Sequence, residues 1–514
     1  LEARYISRAE AGTLYLVNEQ GTHLDFVVLQ NDAMQGLESS ASGNGRAMPP
    51  VPLYSQGREN HANLSSHVAL TGRIVNISDV YSSKAFDFKG VRKYDNATGY
   101  RSRSMLVIPL RNHEDDIIGV LQLLNARAAT GELSSFDDET VILVASLASQ
   151  AAAALTKVRL IDGLKQLFES FIKSIATGIE EKSRYTGGHI ARVTKLAMLM
   201  ARKINETESG LYQGMHFSPD ELDELRIAAW LHDIGKITIP EYVMDKSTKL
   251  ETIFDRVEFI ETRFDLIEAV REKECLAKCL ESLERGDMAG ATRAREDLES
   301  MRRVLSLERE LIKACNDPAA NMTHDKRERL KNIAAKTFEA GGRLRPYLTD
   351  DELENLLVVE GTLTEKERMV IQNHAQMTIK ILSELPFPKK LSGVPEMAGA
   401  HHERPDGTGY PQGTTGGSLS LQARILAVAD VFEALTARDR PYKKPMPLSR
   451  ALKILEQMRH DNHIDAEVQQ LLISTDVLSE YAYDELNPDQ IDIELGERVK
   501  DITRVLLVVE MGNR

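Results

Sequence analysis

The sequence predicts a multidomain chain: an α+β domain built on an antiparallel sheet, a long connecting helix, and an all-α domain interrupted by a helical-hairpin insertion. Three observations lead there. The chain has 514 residues, too many for one hydrophobic core. Its first part alternates short apolar runs with Gly, Asn and Asp turns, whereas Ala, Leu, Glu, Lys and Arg dominate beyond residue 137. Apolar residues then recur at three- and four-residue spacing over an unusually long stretch.

In the first part, residues 11–17 and 24–29 read as strands, joined at Glu19-Gln20-Gly21. Residues 36–66 are rich in Gly, Ser, Pro and Asn and read as loop. Residues 104–110 and 117–124 form a second predicted hairpin around Asn112-His113-Glu114-Asp115. The connecting helix spans 137–173, with Ser135 as its N-cap and Asp137, Asp138 and Glu139 in its first turn. Its stripe through Val144, Leu147, Leu155, Ile161, Leu164, Leu167 and Phe171 suits pairing with a twin in a homodimer, or packing on its own domain.

The net charge of −14 excludes wrapping of long nucleic acid, because phosphate repels an acidic surface. A small anionic ligand stays open if a metal site supplies local positive charge. Three cysteines, Cys275, Cys279 and Cys315, are few and odd in number, which argues for free thiols and a cytoplasmic setting. No membrane segment is expected in this chain. It begins at Leu1 without methionine, so what precedes it is open.

Five of the 13 histidines fall into one series with two aspartates. His189 follows Tyr185-Thr186-Gly187-Gly188; His232-Asp233 precedes Ile234-Gly235-Lys236; His374 closes Ile371-Gln372-Asn373; His401-His402 opens a glycine-rich stretch; Asp430 lies on the apolar run 425–429. Neutral imidazoles ligate metals and carboxylates can bridge two of them. An adjacent His-Asp pair can serve two cations, and a lone acid on an apolar helix is costly unless paired or ligating. Two cations about 3.5–4 Å apart can share a hydroxide nucleophile and stabilise a leaving oxygen.

The first 136 residues resemble a GAF domain. The resemblance rests on Ala9-Glu10-Ala11-Gly12-Thr13-Leu14-Tyr15-Leu16, on Val75-Asn76-Ile77-Ser78-Asp79-Val80-Tyr81, and on the stretches 100–110 and 118–125. It implies an unknown small-molecule ligand. The signature of the cyclic-nucleotide-binding members is broken here, since Ala126 follows Asn125 and Phe136 stands two residues before Asp138-Glu139.

The histidine series resembles the HD-GYP family of HD phosphohydrolases through His232-Asp233, Gly409-Tyr410-Pro411 and the following Ala434-Leu435-Thr436 and Arg440-Pro441-Tyr442-Lys443. The resemblance implies an all-helical domain over 174–252 and 362–495, split by an insertion at 253–361 and followed by a tail at 496–514. It implies hydrolysis of cyclic di-GMP to linear pGpG or GMP, with iron or manganese as cofactor. His189, His232, Asp233, His374, His401, His402 and Asp430 are then metal ligands. Asp233 and Lys236 are the catalytic residues. Lys236, Arg440 and Lys443 hold substrate, and Asp406, Gly407, Gly409, Tyr410 and Pro411 form the GYP loop.

Two departures stand out. Family members with a third metal carry a glutamate where Tyr185 stands, so two divalent ions are expected; Glu180 and Glu181 are the nearby carboxylates that could substitute. The approach to the third histidine at Lys249-Leu250-Glu251-Thr252 breaks off and restarts at Thr362-Leu363-Thr364-Glu365. The insertion between them reads as helices at 254–284 and 291–315, then shorter helices, and either projects from the domain or caps the site. Alternatives are a 3′,3′-cyclic GMP-AMP phosphodiesterase, a mononucleotide hydrolase, or an inactive sensor.

Overall fold

The first apolar runs do pair. In the computed structural model, β1 (Ala9–Val17) and β2 (His23–Asn31) form an antiparallel hairpin. Asn18 Oδ1 ties its turn by accepting the N–H groups of Thr22 and His23. The structure describes residues 2–31, 39–40, 49–182, 188–438 and 445–495. Two units divide the chain, Leu1–Phe168 and Glu169–Arg514.

Unit 1 adds β3 (Val75–Ile77), β4 (Met105–Arg111) and β5 (Ile117–Arg127) to the hairpin in the order β2-β1-β5-β4-β3, all antiparallel. Three two-residue strands complete the eight of this sheet. Both faces are covered, so β4 is apolar on both sides. Met105 and Val107 face a core with Leu64 and Val68 of helix α1 (Leu64–Thr71), while Leu106 and Ile108 face Phe136, Val144 and Ala148. The loop expected over 36–66 therefore ends in a helix, capped by Asn63. A second helix, α2 (Lys89–Thr98), precedes β4.

The long helix, α3, runs over Asp138–Glu180, past the predicted end at 173. Its cap is Asp137, whose carboxylate accepts the Thr140 N–H, and not Ser135. Its early apolar residues Val144 and Ala148 lie on the sheet. Beyond them Val158, Leu160, Ile161, Leu164 and Leu167 are exposed. Among the described residues this one helix is long and apolar enough to cross a membrane by length and composition, which the sequence reading had not expected. Its apolar run is diluted by Ser146, Ser149 and Gln150.

Unit 2 is mainly helical. Helices α4 (His189–Asn205) and α5 (Pro219–Leu231) lead to a 3-10 turn at Ile234–Thr238. A capping box of Ser218 and Glu221 starts α5. The insertion then supplies α6 (Val257–Glu284), α7 (Met288–Asn316), α8 (His324–Ala334) and α9 (Asp350–Leu356). The chain returns through α10 (Glu365–Ser383), boxed by Thr364 and Glu367, then α11 (Val394–Gly399) and α12 (Leu421–Thr436). Helices α13 (Leu448–His460), α14 (Ala466–Ser474) and α15 (Val477–Glu485) close the unit.

The insertion is not purely helical: β6 (Thr337–Ala340) and β7 (Arg343–Pro346) form an antiparallel ribbon. Gly341 and Gly342 both take positive φ in its turn, the backbone a tight hairpin requires. The insertion has a core of its own, with Ile260, Phe264 and Ile267 of α6 against Leu311, Ile312, Leu330, Phe338 and Tyr347. Polar ties hold its root. Lys246 Nζ donates to Asn355 Oδ1 and Glu367, and the fully buried Lys249 donates to the Val358 carbonyl. All three cysteines are free thiols. The predicted tail at 496–514 lies outside the described residues.

Candidate metal centre

The histidines of the series sit at the start, in the middle or just past the end of helices, so their backbones are fixed before their side chains are used. His189 is the first residue of α4, after Gly188 at positive φ. Glu180 holds this helix start: its two oxygens accept the N–H groups of Gly188 and Ile190. His232 caps the C-terminus of α5, and Asp233 precedes the 3-10 turn. Thr378 of α10 pins that turn, donating to the His232 carbonyl and accepting the Gly235 N–H. Gly235 is needed there, because a Cβ would sit 1.9 Å from the His374 carbonyl oxygen. His374 lies in α10, His401 and His402 follow α11, and Asp430 is on α12.

These seven side chains converge. His189, His232 and Asp430 form one group, His374, His401 and His402 a second, and in each the donor atoms lie within 4.8 Å of one another. Asp233 lies between them. Its Oδ2 is 3.4 Å from His232 Nε2 and 3.7 Å from His189 Nε2. Its Oδ1 is 3.5 Å from His374 Nε2 and 3.9 Å from His401 Nε2. One carboxylate thus offers one oxygen to each group.

The rings are oriented from behind. Nδ1 of His232 donates to the Ala229 carbonyl at 2.8 Å, and those of His374 and His401 donate to Ile371 and Ala398 at 2.6 Å. Each bond fixes the tautomer that leaves Nε2 as a lone-pair donor toward the centre. His189 uses a carboxylate instead: its Nδ1 bonds Glu433, which also accepts Arg192 Nε at 2.7 Å. His232 Nε2 is buried without a hydrogen-bond partner, which a buried polar atom tolerates poorly. Five imidazoles and two acids out of water, with one ring nitrogen orphaned, fit divalent cations better than they fit each other.

Electrostatics point the same way at the second group, whereas at the first burial is outweighed by the hydrogen bonds of Asp430 and Glu433, which raise His189 to about 10. Burial pushes His374 and His401 below the ordinary imidazole range and His402 to about 4, keeping all three neutral, the form that ligates. Burial opposes charge on Asp233, yet Lys236 and His232 beside it hold its carboxyl well below the usual range. Asp430 is likewise lowered against its burial, by its hydrogen bond to His189. Lys236 Nζ lies 2.6 Å from Asp233 Oδ2 and keeps about a quarter of its side chain (24%) exposed.

The GYP loop borders the second group. The Tyr410 ring is 4.7 Å from that of His402. Asp406 accepts the Thr408 N–H, and Gly407 takes positive φ. Gly409 is packed so tightly that a Cβ would meet Arg404 N at 2.4 Å. Pro411 follows a cis peptide bond. Glu403 holds the loop by accepting the N–H groups of Gln412 and Thr414. Tyr185, Arg440 and Lys443 lie outside the described residues. Sequence reasoning missed Glu433, Glu403 and Thr378. Only Glu433 carried a signal, an acid one turn after Asp430 on an apolar helix.

Comparison with known proteins gives three family matches. Residues 1–155 match the GAF domain family, 186–315 the HD domain family, and 297–468 a second HD domain family, HD_5. The chain joins a GAF domain to an HD domain, consistent with the GAF and HD-GYP resemblances. A 3′3′-cGAMP-specific phosphodiesterase of Vibrio cholerae is 48% identical over 100 residues, 20% of this chain and 21% of that protein. A cyclic di-GMP phosphodiesterase of Thermotoga maritima is 32% identical over 26% of this chain and 40% of its own. A cyclic di-GMP phosphodiesterase response regulator of Xanthomonas campestris is 33% identical over 37% of this chain and 44% of its own. The chain thus spans less than half the length of these relatives. Among solved structures, a GAF domain from an Acinetobacter phosphotransferase aligns with 32% of this chain and 80% of its own at 13% identity, with a TM-score of 0.23.

Proposed function

We propose that this chain is a metal-dependent phosphodiesterase of cyclic dinucleotides, cleaving cyclic di-GMP to linear pGpG or GMP under control of its GAF domain. The observation that carries this reading is Asp233, with one oxygen turned to each of two histidine groups. In this reading His189, His232 and Asp430 would hold one cation and His374, His401 and His402 the other, with Asp233 available to both. The cofactor is two divalent ions, iron or manganese; bound, they neutralise phosphate charge and activate water near neutral pH.

The chain's own residues bind and orient. Lys236, held against Asp233 and still partly exposed, reaches a phosphate oxygen and offsets charge that builds as the P–O bond breaks. Arg440 and Lys443 hold the second phosphate or a guanine, supplying cations that the acidic surface lacks. Tyr410 offers a ring edge beside His402 for a base to rest on. The exposed stripe on α3 pairs with its twin in a homodimer.

A second substrate is favoured by one observation: the relative matched at 48% identity is named for 3′3′-cGAMP. Incubating the manganese-loaded full chain separately with cyclic di-GMP, cyclic GMP-AMP and GMP tests these readings together. Linear dinucleotide or mononucleotide product from a cyclic dinucleotide is expected. Turnover of GMP alone, or of nothing, would refute the proposal.

A further inference from the structure

The GAF unit holds a partly open cavity of about 230 Å³ between the inner face of its sheet and the start of α1. Tyr15, Phe26, Met105 and Leu124 line it from the strands, and Phe86 and Phe88 line it from the loop before α2. No Lys, Arg or His lines it among the described residues. We infer that this cavity takes a small uncharged ligand, one aromatic ring with a carbonyl, and rejects nucleotides. The inference rests on reading the GAF domain as the sensor of the proposed phosphodiesterase, and names the class of its ligand.

Among the described residues, charge decides against a phosphate. An anion taken out of water needs a cation or several free N–H groups to replace its hydration. The N-terminus of α1 opens on the cavity and would suit an anion. Asn63 Oδ1 already takes the N–H groups of Ser65 and Ser66 there. The one carboxylate of the wall, Asp87, repels an anion, and Lys89 pairs with it at 3.5 Å, so it does not call for a cationic ligand either.

One polar group does ask for a partner. Gln122 Oε1 accepts both Ser65 Oγ at 2.7 Å and Tyr15 OH at 3.2 Å. Its Nε2 is left facing Met105 Sδ at 3.6 Å, a weak acceptor. A carbonyl oxygen would replace that contact with a full hydrogen bond. Size agrees: a cavity of about 150 Å³ admits benzene, so this one admits a ring with a short substituent.

Calorimetric titration of the full chain in chelator, where no hydrolysis occurs, tests this with benzamide, acetophenone and indole against cyclic GMP and cyclic AMP. Binding of at least one carbonyl probe is expected, weakened about tenfold by Gln122→Leu and abolished by Leu124→Phe, which narrows the cavity. Unchanged melting temperatures show that the variants fold. Binding of a cyclic nucleotide that Leu124→Phe abolishes would overturn the inference. So would failure of all three neutral probes, or binding indifferent to Gln122. Hydrolysis of cyclic di-GMP by the metal-loaded chain is measured separately, so failure of the enzyme reading is told apart from failure of this one.

Discussion

Glu433 shows what a single residue adds behind a metal centre. It is buried and shared between His189 and Arg192. Replacing it with Gln keeps the shape but removes the charge that orients the imidazole. Such outer carboxylates typically contribute about 10- to 100-fold in metal affinity. Glu433→Gln should therefore weaken manganese binding by that order in a competition titration with a chelator, while the circular dichroism spectrum stays unchanged. Equal affinity would remove Glu433 from the account. In the GAF unit, Asn125 carries a structural role that the broken nucleotide signature does not reveal. In the fold it takes φ +56°, donates to Glu10 and Tyr100, and accepts the Arg103 N–H. Asn125→Ala should cost about 1–3 kcal/mol of stability by leaving buried partners unpaired. A change near zero in denaturant unfolding would contradict this.

At the scale of elements, the insertion was legible as a hairpin because charged helices flank Gly286-Asp287, but its ribbon was not. Four-residue strands carry too little periodicity, and Gly341-Gly342 was the only local cue. Its own core predicts that it folds without help from the metal ligands. Shortening the hairpin tip, built on Cys279, Ala291 and Ala294, should leave metal content and hydrolysis within about twofold, since sites without shared partners act independently. A loss of either would mean that the tip serves the site. The root carries a pH signature. Burial opposes charge on Glu352, yet its bonds to Arg263 lower its carboxyl below the ordinary value. A lowered folded value means that this pair adds stability above about pH 4.3, the unfolded value, and loses it as pH falls further. Glu352→Gln should flatten the acid limb of the stability curve below that pH and leave its shape unchanged near pH 7. A parallel shift at all pH values would point to packing instead.

For the whole molecule, the two-domain plan and the seven converging side chains were readable because each sits in a short, distinctive run. What could not be read was which atom faces which. The division of Asp233 between two histidine groups and the backing of three imidazoles by carbonyls depend on helix ends meeting in space. The exposed apolar residues Leu160, Leu164 and Leu167 follow the spacing of a paired helix. Light scattering should find a dimer that Leu164→Glu weakens; a monomer in the unaltered protein would remove that reading.

The central claim is that Asp233 is shared by two cations in a hydrolytic site. Elemental analysis of the purified full chain and of Asp233→Ala, each paired with cyclic di-GMP hydrolysis, tests it most directly. Two equivalents of iron or manganese per chain are expected in the unaltered protein, with metal and hydrolysis both lost from the variant. Full metal content and full hydrolysis in Asp233→Ala, or three equivalents in the unaltered protein, would contradict it.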